Sequence, residues 1–138
     1  MAQGLDVDLK EIVLSNSTFG PKEIDQLTRT ISGDASRVPV LRDSVSELEA
    51  SEDLTPAMAV RLGVCYYLLG RTPRAIETLR SADGSALALF YVGRSLFATG
   101  EYAEAIASYQ AAKGAGYNAD QCALAIGETQ RYMGDPAA

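Results

Sequence analysis

From Thr55 onward, apolar residues recur at intervals of three and four, the period of helices with one buried face. Thr55 suits an N-cap and Pro56 the first helical position. Ala59, Leu62, Tyr66 and Leu69 then form a stripe, and Gly70 can take the left-handed conformation that ends a helix. Thr72-Pro73 opens a second helix by the same logic, with Ala75, Ile76 and Leu79 inward and Gly84 near its end. The pattern predicts a further pair, Ser85 to Thr99 and Glu101 to Lys113, turning at Gly100 and stopping before Gly114. Upstream, Asp6 to Leu14 reads as a short helix. Pro21 to Ser32 reads as another, with Ile24, Leu27 and Ile31 on one face and Gly33 ending it. Arg37 to Ala50 is a third, with Val38, Leu41, Val45 and Leu48 inward and Pro39 tolerated in its first turn. These last two are expected to pair as a helical hairpin.

The downstream helices repeat. Leu62-Gly63-x-x-Tyr66-x-x-x-Gly70 recurs as Val92-Gly93-x-x-Leu96-x-x-x-Gly100 and as Ile126-Gly127-x-x-Gln130-x-x-x-Gly134. Ala75-Ile76-x-x-Leu79 recurs as Ala105-Ile106-x-x-Tyr109. Copies one and two sit four residues closer together than copies two and three, about one helical turn. The shortfall is expected at the end of the second helix of copy one, around Arg80 to Gly84. Gly63 with Ala75, and Gly93 with Ala105, lack the bulk that would hold paired helices apart.

These residues resemble the tetratricopeptide repeat family, a helix–turn–helix unit with a Leu-Gly pair and later Ala and aromatic positions. Copy two carries the fullest match, in Leu89, Val92, Gly93, Leu96, Gly100, Tyr102, Ala105, Tyr109 and Ala112. The resemblance spans residues 56–136; no copy has the family's Trp or closing Pro, and Gln130 replaces an aromatic. It implies an all-α fold, a right-handed superhelical stack of antiparallel helix pairs. On this reading residues 1–55 are an acidic N-terminal helical cap. Residues 56–138 are the array: 56–85 the first repeat, 86–119 the second, and 120–138 a truncated third.

The resemblance further implies that the first helix of each copy lines a concave face. Its exposed stripe would then comprise Val60, Val64 and Tyr67, then Phe90, Tyr91, Arg94 and Phe97, then Gln121, Leu124, Ala125, Glu128 and Arg131. Aromatic residues with arginine are typical anchors of recognition surfaces, although Phe90 and Phe97 would serve equally between neighbouring helices. Family members that grip a C-terminal carboxylate place Lys, Asn and Arg on this stripe; Val60, Val64, Tyr91, Gln121 and Ala125 stand there instead. The expected groove is apolar and suited to an amphipathic helix or hydrophobic segment.

Charge divides the chain. Residues 1–55 hold 11 acids and 5 bases, the whole of the net charge of −6, while residues 56–138 hold 7 of each. The acidic segment would cap the stack, or dock a basic partner. At the other end, Gly134 to Ala138 matches the turn at Gly70 to Pro73, yet no second helix follows. Ile126, Leu124 and Met133 are thus expected to form an uncovered flank, completed by a longer array or by a second copy in a homodimer.

With 138 residues there is enough chain to bury a core. No histidine is present, and only two cysteines, which excludes Ser-His-Asp or Cys-His catalysis and Cys/His zinc sites. The acids Glu47, Glu49, Glu52 and Asp53 read as a solvated turn, and Cys65 and Cys122 as buried, inert thiols. No Lys/Arg cluster suits nucleic acid, no stretch suits a membrane span, and Met1 to Lys10 is no secretory signal. The reading is a cytoplasmic, non-enzymatic protein–protein interaction scaffold without a cofactor or metal. A small secretion-type chaperone and a regulatory docking module of a larger enzyme remain open beside it.

Overall fold

A computed structural model describes residues 8–15 and 19–134. Among them lie eight α-helices and no strand: α1 (Leu9–Leu14), α2 (Pro21–Gly33), α3 (Val38–Glu49), α4 (Pro56–Leu68), α5 (Thr72–Arg80), α6 (Ala86–Ala98), α7 (Tyr102–Gly114) and α8 (Ala119–Tyr132). The first two residues of the helix expected from Asp6, and the terminal stretch 135–138, lie outside the described residues. None of the described helices is long and apolar enough to cross a membrane.

Local chemistry sets the helix ends. Thr55, Ser85 and Asn118 accept the amide protons of Met58, Ala88 and Gln121, at 3.2, 3.2 and 3.0 Å. Each side chain thus satisfies an amide that the first turn leaves without a partner. Gly70 and Gly100 take φ of 79° and 82°, which L side chains resist. There the amides of Arg71 and Glu101 reach back to the carbonyls of Tyr66 and Leu96, at 2.8 and 2.9 Å. Helix α5 has nine residues and α7 has thirteen, so the four-residue shortfall lies at the end of α5.

Helices α4 and α5 form one close pair and α6 and α7 a second; α5 packs on α6, and α7 on α8. The glycines fix the spacing. A Cβ at Gly63 would lie 2.5 Å from the Leu79 side chain, and one at Gly93 would lie 2.6 Å from the Tyr109 ring. Cys65, Ser95 and Thr129, equivalent positions in the three copies, are fully buried. The two hydroxyls donate to the carbonyls of Tyr91 and Ala125 in their own helices, so burial leaves neither unsatisfied. Both cysteines are free and buried, and burial pushes the Cys65 thiol up to about 12, far from a reactive thiolate.

The N-terminal segment departs from the expected hairpin of α2 and α3. Helix α3 packs mainly on α1 and α4. The reason is visible in Arg61, a buried cation on α4 that no sequence pattern marks. Its guanidinium donates to the carbonyls of Ile12 and Val13 at 3.0 and 3.3 Å and lies over the Phe19 ring at 5.2 Å. These bonds satisfy the last turn of α1 and hold it on α4. Leu9 and Val13 then share a core with Leu41, Val45 and Leu48 of α3. Two of the acids read as a solvated turn, Glu47 and Glu49, also serve this junction. Glu47 pairs with Lys10 at 2.8 Å, and Glu49 accepts the Tyr66 hydroxyl and lies 3.4 Å from Arg74.

Gly93→Ala and Gly127→Ala should separate in a urea melt. Alanine gains about 1 kcal/mol of helix propensity over glycine. At Gly93 the overlap with a buried ring costs about 1–3 kcal/mol and outweighs that gain. Gly127 has only the tip of Arg131 nearby, at 4.0 Å. Gly93→Ala is therefore expected to be less stable than wild type and Gly127→Ala at least as stable.

Candidate binding groove

A cavity of about 1000 Å³ lies between α2 and α6. One wall is α6, through Leu87, Phe90, Tyr91 and Arg94. The other is α2 with the two residues before it, through Phe19, Gly20, Pro21, Ile24, Asp25, Thr28 and Ile31. Tyr67 of α4 closes one side, and Tyr117, Asn118 and Gln121 at the α7–α8 junction close the other. A smaller hollow of about 230 Å³ is lined by Phe90, Tyr91 and Arg94 together with Leu124, Ala125 and Glu128.

An aromatic network runs along the α6 wall. Tyr67 meets Tyr91 edge-on at 5.7 Å, Tyr91 meets Phe90 at 5.4 Å, and Phe90 stacks on Tyr117 at 4.3 Å with the rings 12° from parallel. Offset stacks and edge-on pairs each add about 0.5–1.5 kcal/mol beyond the area they bury. Arg94 is the cation of this surface, 3.6 Å from Glu128. Burial works against its charge, but Tyr67, Tyr109 and Glu128 outweigh burial and hold its pKa above the ordinary arginine value. The pair fixes the guanidinium in the groove and leaves it partly exposed. Among the described residues no group of three or more His, Cys, Asp or Glu side chains is placed to hold a metal.

Of the residues expected on the stripe, Tyr67, Phe90, Tyr91 and Arg94 line the main cavity; Gln121 does too, and Leu124, Ala125 and Glu128 line the hollow. Four others are not there. Val60 and Val64 are 5% and 0% exposed, members of the core and not of an open face. The N-terminal helices pack over α4, and their Leu9, Val13, Ile24 and Leu27 join the same cluster. Phe97 turns away to pack on Tyr102 and Tyr132, at 5.6 and 5.0 Å, and Arg131 is exposed but lines neither hollow. Phe90 has both roles weighed for it: it lines the cavity, yet at 5% exposure it is a core residue. Sequence reasoning missed the α2 wall and Tyr117. The Ile24–Ile31 stripe signalled that α2 buries a face, but nothing in it told which neighbour that face would meet.

Because Phe90 is buried against three other rings, Phe90→Ala should lower stability by about 3–5 kcal/mol, a large share of the 5–15 kcal/mol available to a domain. A melt within about 1 kcal/mol of wild type would mean the ring is not core.

Burial also raises the phenol pKa of Tyr66 and Tyr109 to about 12 and raises those of Tyr91 and Tyr117. Unfolded phenols ionise near pH ~10, so the native state keeps these protons longer. The resulting stability is complete below pH ~10 and is lost as the pH climbs toward about 12. Tyrosinate absorbance for these four side chains should therefore rise together with the loss of helical circular dichroism. Ionisation of all seven tyrosines at pH ~10 in a still-folded chain would contradict this.

Two family models, each a tetratricopeptide repeat, match residues 57–82 and 77–120. No curated protein and no solved structure matches the chain. The matched span runs from α4 to the start of α8 and contains both glycine-nested helix pairs. Tetratricopeptide repeats mediate protein–protein interaction and are typically non-enzymatic modules, and this chain is a tetratricopeptide repeat protein.

Proposed function

We propose that this protein binds a segment of another protein in the groove between α2 and α6, without catalysing a reaction. The observation that carries this reading is the aromatic wall of a cavity of about 1000 Å³, with one fixed cation at its edge. Pockets that bind by recognition are largely apolar, with a few polar groups that set orientation. Phe90, Tyr91 and Tyr117 supply the apolar area, and Arg94, Asp25 and Gln121 supply the polar edge. The ligand that fits is an amphipathic helix or a hydrophobic stretch with a polar flank. In this reading residues 56–138 form the recognition array. The acidic residues 1–55 cap it, and through α2 they contribute one wall of the groove as well.

A library of displayed amphipathic peptides, selected on the purified chain, tests the proposal. Selected peptides should shift the amide resonances of Tyr91, Arg94 and Gln121. Tyr91→Ala should weaken them by about 1 kcal/mol or more, roughly fivefold or more, as truncating an interface aromatic does. Arg131→Ala, outside the groove, should leave their affinity unchanged. Peptides indifferent to Tyr91→Ala would refute the groove as the binding site.

A further inference from the structure

The two walls of the groove are held very differently. Helix α2 buries two of its thirteen residues, Ile24 and Leu27, whereas α4 buries eight of thirteen and α6 six of thirteen. The repeat helices pack on one another in sequence, α4 on α5, α5 on α6 and α6 on α7. Helix α2 runs instead beside α1, a helix of six residues, and beside the 3-10 turn Ala35–Arg37. Toward α6 it faces the cavity of about 1000 Å³, which its Asp25, Thr28 and Ile31 line. Just before its start, the Phe19 ring lies 5.2 Å from the Arg61 guanidinium of α4. At its end Ser32 to Ser36 are all exposed, and Asp34 accepts the amide and the hydroxyl of Ser36 at 3.0 and 2.6 Å. One end is thus anchored on the repeats, and the other runs into an exposed turn.

The sequence of α2 adds to this. Isolated helices shorter than about 12–15 residues are marginal in water, so α2 depends on what it packs against. Ile24, Thr28, Thr30 and Ile31 are β-branched, which lowers helix propensity. The hydroxyls of Thr28 and Thr30 bond back to the carbonyls of Ile24 and Gln26 at 2.8 and 2.7 Å, a habit that slightly destabilises helices. Segments with few buried apolar groups open at a lower free energy than the core around them. We propose that α2 is the movable wall of the groove: it opens without the repeats, and it closes on the bound segment. The second half rests on the proposed groove. A segment lying against Tyr91 and Arg94 also covers Phe19, Ile24 and Ile31 on the opposite wall. It therefore binds the closed form in preference to the open one and draws α2 shut. Release then requires α2 to open.

Amide hydrogen exchange of the full chain, read residue by residue, tests both halves. Without ligand, and corrected for intrinsic rates, the amides of Leu27, Thr28 and Ile31 are expected to exchange roughly tenfold or more faster than those of Leu96 and Tyr109. Gly93→Ala, which strains the nest of Tyr109, should speed exchange at Leu96 and Tyr109 and leave α2 unchanged. The reason is that Gly93 keeps the same neighbours whether α2 is open or closed. Should that variant not fold, low urea on the wild-type chain makes the same distinction, because it speeds global unfolding far more than the opening of one helix. Equal rates in α2 and the repeats, or equal acceleration of both, overturn the proposal. For the second half the probe is an amphipathic peptide selected on the chain and weakened by Tyr91→Ala. At about a hundred times its Kd it should slow α2 exchange about a hundredfold. Unchanged exchange in α2 under that peptide would overturn the closing wall and leave the groove standing. If no selected peptide depends on Tyr91, the groove fails and the closing wall with it, whereas the free chain still decides whether α2 opens alone.

Discussion

The fold rests on how closely two helices can approach. Gly63 and Gly93 remove the one atom that would collide with Leu79 and Tyr109, and this close approach sets the spacing of the pairs. Interiors pack like crystals, so a shift of a few tenths of an ångström at these notches would propagate through the stack. The consequence for the groove is direct. With Tyr109 seated against Gly93, its ring lies 5.3 Å from Phe90, which in turn stacks on Tyr117 and meets Tyr91. The aromatic wall is the far side of a helix contact that glycine makes possible.

A second constraint is the buried charge of Arg61. Removing a guanidinium from water is costly unless its donors are used. Here the donors meet the carbonyls of Ile12 and Val13, groups at the end of a six-residue helix that would otherwise lack partners. One side chain thus solves two problems, and the solution dictates where the N-terminal segment goes. With α1 tied to α4 and α3 packed on both, α2 is carried to the open side, where its Asp25, Thr28 and Ile31 face the cavity. The groove is consequently bounded by two dissimilar walls, one built by the repeats and one by the segment that precedes them.

This division explains what could be read from the residues. The helices from Pro56 onward, their capping by Thr55 and Ser85, the turns at Gly70 and Gly100, and the short α5 all follow from local patterns that repeat in phase. Local patterns set these features, so they survive in the folded chain. The pairing of α1 with α3 does not, because six residues offer too little periodicity to select a partner and Arg61 lies 48 positions from Val13. The burial of Val60 and Val64 was hidden for the same reason. Whether a stripe faces solvent depends on what covers it, and the cover comes from a distant segment. Tyr117 lay in a turn where helical spacing carries no information about packing.

Helix α8 sits where the two constraints meet. Its inner side is settled: Cys122, Ala125 and Thr129 are buried, and Glu128 is held to Arg94 of α6. These contacts fix the rotation of α8, and with it the positions of Gln121, Leu124 and Glu128 along the groove and the hollow beside it. On the proposed reading the groove is an aromatic surface against which varied apolar side chains can lie. The notches at Gly63 and Gly93 each hold one bulky side chain at one register, and overfilling them carries a cost.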